Sequence, residues 1–162
     1  MSLTKLIDIN PNSFWGRLLR LPLRLLSGRA VVPVMSGINR GYKWRVGSNI
    51  HGCWLGIYES DKQQLMNLLV TQGMIAYDIG ANAGFYTLGL ARLVGSGGRV
   101  CAFEPLAENA ANILDHLRLN CCSNATLYQV AVSDQNGLSA FHVGKSNSTG
   151  HLGDGGGIGC RL

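Results

Sequence analysis

"YDIGANAGFYT", residues 77–87, is the stretch on which the fold turns. It closes the apolar run "MIAYDIG" (74–80), then sets Gly80 and Gly84 either side of Asn82. An apolar run of this length, a glycine turn and an amphipathic segment read as strand, tight loop and helix. Near-continuous apolarity in the run predicts a parallel strand covered on both faces. Gly80 and Gly84 can adopt positive φ and let backbone come close to a ligand.

Working outward, "AGFYTLGLARLV" (83–94) reads as a helix ended by "GSGG" (95–98). "RVCAFEP" (99–105) is a second strand stopped by Pro105, and "LAENAANILDHLRLN" (106–120) a second helix with Ile113, Leu114, Leu117 and Leu119 as its apolar positions. "ATLYQVAVSD" (125–134) is a third strand turning at "DQNG", and "LSAFHVG" (138–144) alternates as a fourth, read as antiparallel. Strand–helix–strand–helix–strand is the first half of a doubly wound α/β sheet. No sequence remains to build the second half. After Lys145 the chain is Ser/Gly-rich without periodicity, and the tail "GDGGGIGCRL" (153–162) is no second ligand loop, because no strand precedes it and no helix follows. Its abrupt glycine bias reads as a truncated or frame-shifted end.

Upstream, "DKQQLMNLLV" (61–70) is a helix with Asp61 as cap and Leu65, Leu68 and Leu69 on its apolar face. Residues 38–59 read as short strands or irregular structure around Trp44, Trp54 and Tyr58. Residues 13–35 are leucine-rich and basic, with Arg17, Arg20 and Arg24 on one helical face and Pro22 breaking the helix. Two readings stay open for this segment: a helix capping the domain, or peripheral contact with an anionic membrane surface. The division expected is a basic N-terminal segment (1–50), a partial ligand-binding domain (51–152) and the glycine-rich tail (153–162).

The charge balance agrees with that division. The chain has 162 residues and a formal charge of +5, yet residues 1–45 carry eight Lys/Arg against Asp8 alone, and the rest six against eight acids. A core without a basic face argues against nucleic-acid binding. Five cysteines without C-x-x-C spacing fit reduced thiols and a cytoplasmic protein better than disulfides or zinc. No secretory signal is legible, and the arginines interrupt any run approaching the roughly 20 apolar residues of a membrane span.

The chemistry concentrates at the carboxyl ends of the strands, where open α/β sheets bind ligands. The loop amides at 80–84 are expected to face that site from the start of the following helix. Asp78 places a carboxylate there that would repel a pyrophosphate and could accept a hydrogen bond from an ammonium-bearing ligand. Glu104, 24 residues after Gly80 at the end of strand two, can take both hydroxyls of an adenosine ribose. "AVSD" (131–134) can border an adenine, with Val132 as an apolar contact and Ser133 alongside; a plain turn is the rival reading. No P-loop is present, since no Gly-Lys-Ser/Thr follows the glycines. The histidines (His51, His116, His142 and His151) are scattered without metal-ligand spacing, and only His142 and His151 read as near the cleft. Cys121–Cys122 reads as packing, and no triad or carboxylate pair is evident.

"DIGANAGFYT", then "AFEP", then "AVSD", with "GIYE" (56–59) ahead of them, resembles the S-adenosylmethionine-dependent methyltransferases of the FkbM family. The resemblance covers roughly residues 54–152, and Asp-x-Gly-Ala-Asn-x-Gly-x-x-Thr is its most restrictive motif. It implies the Rossmann-like sheet of class I methyltransferases, here only its first half, with S-adenosylmethionine in the cleft. By position, Asp78, Gly80, Ala81, Asn82 and Gly84 would surround the methionine half of the cofactor. Glu104 would hold the ribose, and Val132 and Ser133 would border the adenine. Thr87 completes the motif by packing or capping. The acceptor implied is an oxygen of a sugar, glycan or related metabolite. The family's downstream Lys-x-Asp-x-Glu-Gly type motif is absent, so no catalytic residue can be named, and no metal is expected. Two other readings remain: a nicotinamide-dependent oxidoreductase domain, disfavoured by Asp78 and Asn82, and a non-catalytic remnant.

Overall fold

A computed structural model describes residues 26–134, 137, 141–143 and 150–152. Two antiparallel strands, β1 (Val31–Pro33) and β2 (Lys43–Arg45), lead through a 3-10 turn (Val46–Ser48) into α1 (His51–Leu55) and α2 (Ser60–Leu69). The α/β unit follows as β3 (Ile75–Ile79), α3 (Phe85–Val94), β4 (Arg99–Phe103), α4 (Ala107–Leu119) and β5 (Ala125–Tyr128). β6 (Phe141–Val143) and β7 (Gly150–Leu152) form a separate antiparallel pair. The strand expected within 138–144 is thus present and antiparallel. The aperiodic stretch after Lys145 contributes its partner, which the sequence did not announce. The tail at 153–162 and the arginine-bearing stretch at 13–25 lie outside the described residues.

The main sheet is parallel, in the order β3-β4-β5, with Ile79 aligned to Phe103 and Phe103 to Tyr128. Both crossovers step the same way across the sheet, so right-handed connections put α3 and α4 on one face. Against them lie Asp78, Val100 and Ala102, all buried. The opposite face carries Ile75, Tyr77 and Ile79, each more than 60% exposed, with Tyr77 and Tyr128 stacked on either side of Phe103 at centroid distances of 6.3 and 5.1 Å. The apolar run in β3 therefore does not mean burial on both faces here. Among the described residues, one layer of helices covers one face only.

β5 ends at Tyr128, six residues short of the strand expected over 125–134. Its partner β4 ends at Phe103, and Pro105 offers no N–H to prolong the ladder. The chain then turns, with the Val130 N–H donating to the Tyr128 carbonyl at 2.9 Å. Val132 and Ser133 consequently sit on irregular, exposed backbone beyond the strand.

Residues 31–46 share the core with the α/β unit. Val34, Trp44 and Val46 pack in one cluster with Phe85, Leu88, Ala102, Ile113 and Leu117. The core does not break at residue 50. Val31–Pro33 is a strand, although the segment 13–35 reads as helical by its spacing, because β-branched Val31 and Val32 pair with β2. α2 also departs from its pattern. Its N-cap is Glu59 rather than Asp61, and Leu65, Leu68 and Leu69 are exposed. The helix is anchored instead by buried Gln63, whose side chain accepts the Ile38 N–H at 3.0 Å and donates to the Gly56 and Tyr58 carbonyls.

Candidate functional site

The loop between β3 and α3 is built from inside. Gly80, Asn82 and Gly84 all have positive φ (77°, 50° and 84°), a conformation that glycine adopts freely and asparagine tolerates. This explains Asn82 where another motif would have glycine. Its side chain also serves, because Oδ1 accepts the Ala83 N–H at 2.7 Å and the Asn49 amide at 2.9 Å.

Every backbone N–H of the loop has a partner within the protein. Gly80 and Ala81 donate to the Phe103 carbonyl at 2.9 and 3.0 Å. Asn82 donates to Glu104 Oε2 at 2.8 Å, Ala83 to Asn82 Oδ1, and Gly84 to the Ala81 carbonyl at 2.8 Å. The expectation that these amides face the site is therefore corrected: they are spent on closing the loop over the end of β4. A phosphate cradle needs free N–H groups converging on an anion. This loop offers none between Gly80 and Gly84. Space does exist beside it, since a side-chain carbon placed on Gly80 would meet nothing within 4 Å among the described residues.

Glu104 is 5% exposed, with both carboxylate oxygens engaged. Oε1 accepts the Leu106 N–H at 2.9 Å and the Asn109 side-chain amide at 3.3 Å, while Oε2 takes the Asn82 N–H. Each carboxylate oxygen can accept about two hydrogen bonds, so Oε2 keeps capacity for a ligand hydroxyl. The group is held rigid before any ligand arrives, which lowers the entropy cost of binding.

Asp78 plays a different local part from the one expected of a carboxylate facing ligand. Its side chain points onto α3, where the Thr87 hydroxyl donates to Oδ2 at 2.5 Å and the Thr87 N–H adds a second bond. Thr87 is the third helical residue after the N-cap Gly84, so Asp78 caps α3 from the neighbouring strand and meets the positive end of its dipole. Burial raises the Asp78 pKa, the Thr87 bonds oppose that, and the Glu104 charge adds to it. Thr87 is fully buried and is the residue that Asp78 caps.

Of the eight residues expected at the cofactor, Asp78, Gly80, Ala81, Asn82, Gly84 and Glu104 converge on one loop. Val132 is half exposed, and the Ser133 hydroxyl lies 3.3 Å from Asp134 Oδ1. Two further residues reach the loop that sequence reading passed over. One is Asn49, on Asn82. The other is His116, whose Nδ1 lies 2.8 Å from the Ala83 carbonyl. Neither has a motif around it, and only helical spacing on α4, with His116 three residues after Ile113, signals an inward-facing position. His142 and His151 are directly opposite in the β6–β7 pair.

At the loop's mouth, Glu59 (φ 43°) accepts the Tyr86 hydroxyl at 2.5 Å and pairs with Lys62 at 2.7 Å. The Lys62 and Tyr86 hydrogen bonds lower the Glu59 pKa, and burial and Glu59 together raise that of Tyr86. A cavity of about 610 Å³ lies at the other end of the sheet, beside Gly98, Arg99 and Asn124 at the amino ends of β4 and β5. It is not the ligand cleft of an open parallel sheet. Among the described residues no three His, Cys, Asp or Glu side chains gather to hold a metal ion. Among the same residues, no helix is long and apolar enough to cross a membrane.

Residues 78–156 match the family described as the methyltransferase FkbM domain. That match covers just under half of the chain. The match begins at Asp78, the first residue of the loop motif, and runs through Glu104 and Ser133. No protein of curated function matches the chain. Among solved structures, a SAM-dependent methyltransferase from Aquifex aeolicus is 25% identical, over 46% of this chain and 38% of its own, with a TM-score of 0.40. A protein described as an rRNA methylase from Clostridium thermocellum is 29% identical, over 44% of this chain and 39% of its own, with a TM-score of 0.42. A precorrin-6y C5,15-methyltransferase from Geobacter metallireducens GS-15 is 26% identical, over 46% and 38%, with a TM-score of 0.39. The chain thus spans about two fifths of the length of the solved structures it matches. S-adenosylmethionine is the expected cofactor of an FkbM methyltransferase domain.

Proposed function

We propose that this chain carries the cofactor-binding half of an S-adenosylmethionine-dependent O-methyltransferase acting on a sugar, glycan or related metabolite. The observation that supports it is the closure of the Asp78–Thr87 loop onto Glu104. The loop's N–H groups are consumed internally, so it suits a cofactor without a pyrophosphate better than a dinucleotide. A buried, fixed carboxylate beside an open glycine suits a ribose diol.

In this reading Gly80, Ala81, Asn82 and Gly84 form the wall against the methionine half, and Asp78 holds that wall by capping α3. Glu104 accepts a ribose hydroxyl through the remaining capacity of Oε2. Val132, exposed beyond β5, supplies an apolar edge for adenine with Ser133 beside it. The bound cofactor supplies an electrophilic methyl group on a sulfonium. The chain's own contribution is alignment, the larger part of what methyl transfer asks of a protein. The acceptor, its deprotonation, the cytoplasmic setting, the absence of a nucleic-acid partner and any membrane contact of residues 13–35 belong to the same proposal. We place the start of the folded unit near residue 28 rather than 51, because Val34 and Trp44 complete its core.

Titration with S-adenosylhomocysteine and, separately, with NADH tests the reading. Saturable binding of the first and none of the second is expected. Tight binding of NADH alone would overturn it, and binding of neither would support the remnant.

A further inference from the structure

We propose that His116 is a positioning residue for the cofactor loop, clamping its Ala83 carbonyl to the N-terminal β1–β2 hairpin. The inference rests on the reading of that loop as the cofactor wall, but its geometry stands independently. His116 is fully buried on α4 and stacked on Trp44 at a centroid distance of 3.9 Å and an interplanar angle of 19°. The Arg45 backbone N–H points at its Nε2 from 3.1 Å. A backbone amide can only donate, so Nε2 carries the lone pair and the ring proton sits on Nδ1. That proton faces the Ala83 carbonyl at 2.8 Å. One neutral tautomer therefore joins hairpin, helix and loop in a single chain of hydrogen bonds.

The loop is held from two adjacent positions. Asn49, which follows the same hairpin, donates to the Asn82 side chain, and His116 donates to Ala83. Asn82 is the residue whose N–H reaches Glu104. Loss of the clamp thus acts on the carboxylate proposed to hold ribose without touching a ligand. The charged groups facing the ring are Asp115 on α4 and Arg45 on β2, which also pair with each other. Burial holds the ring neutral, with its pKa pushed down to about 4. A protonated ring would set an N–H against the Arg45 N–H and break the chain.

Two near-isosteres separate positioning from packing in the full chain. His116→Asn keeps a donor near Nδ1, and His116→Gln keeps an acceptor near Nε2. Amide hydrogen exchange at residues 82–84 reads the loop without any ligand. Roughly five- to tenfold faster exchange is expected in His116→Gln than in His116→Asn, the equivalent of one buried hydrogen bond. S-adenosylhomocysteine affinity should fall several-fold in His116→Gln and stay near the parent value in His116→Asn. Equal exchange and equal affinity in the two variants would overturn the proposal. If both unfold, Asn49→Ala decides, since faster exchange confined to 82–84 supports a held loop and unchanged exchange opposes it. Failure of the unaltered chain to bind S-adenosylhomocysteine would sink the cofactor reading alone, because the exchange measurement stands without ligand.

Discussion

Glu104, at the end of one strand, accepts the backbone N–H of Asn82, in the loop after the neighbouring strand, at 2.8 Å. One carboxylate thereby sets both the shape of the loop and the place of the acceptor proposed for ribose. Glu104→Gln removes the charge but keeps the volume. It is expected to weaken S-adenosylhomocysteine binding by about 1–3 kcal/mol, measured by calorimetry. Unchanged affinity would remove Glu104 from the site.

Gly80 and Gly84 share a positive φ but not a neighbourhood. Alanine at Gly80 would meet open space and bear the backbone cost alone, about 1–2 kcal/mol. Alanine at Gly84 would also bring its Cβ within 3.1 Å of Ile113 Cγ1. Urea unfolding should rank Gly84→Ala as the more damaging. The reverse order would mean that the loop relaxes in a way these contacts do not foresee.

Thr87→Val deletes a hydroxyl bonded to a buried carboxylate while keeping its shape. A loss of about 1.5–3 kcal/mol is expected, as for a hydrogen bond to a charged group. The Asp78 pKa, already raised by burial, should rise further once the opposing Thr87 hydroxyl bond is gone. Because the folded state then binds the proton more tightly than the unfolded, stability should fall as pH climbs from near 3.8 through the folded pKa. Thermal melts across that range, parent against variant, read the difference.

His116 works in the opposite direction. Its folded pKa lies near 4 against 6.5 in the unfolded chain, so the unfolded state takes up the proton first as pH falls. The stability it contributes is present above about 6.5 and drains away between 6.5 and 4, by an amount on the order of 3 kcal/mol. His116→Asn should flatten that limb of the stability curve. A limb of unchanged steepness would place the titration elsewhere.

Trp44 is fully buried with an indole N–H that finds no acceptor among the described residues. Trp44→Phe removes this unsatisfied donor and keeps an aromatic face for His116, so it should cost far less than Trp44→Ala, for which about 3–5 kcal/mol is expected. Chemical denaturation of the two variants provides the comparison.

The sequence by itself determined the strand–loop–helix order, the identity of the loop and the acid that meets it. These rest on local chemistry: apolar runs, glycines where φ must be positive, an asparagine that tolerates the same region, and a proline that stops β4. What only the tertiary structure decided are contacts between residues far apart in the chain. Asp78 capping α3 was legible as a carboxylate but not as a cap. His116 beneath Ala83 and Asn49 on Asn82 left no pattern, since each is one polar residue whose partner lies 33 positions away. The same holds for the loop amides. Spacing shows that five N–H groups exist there, but whether they point at a ligand or at Phe103 and Glu104 depends on how β4 ends beside them. The apolar face of β3 shows the limit most plainly. Periodicity records which side chains avoid water, and only packing determines which of them have been covered.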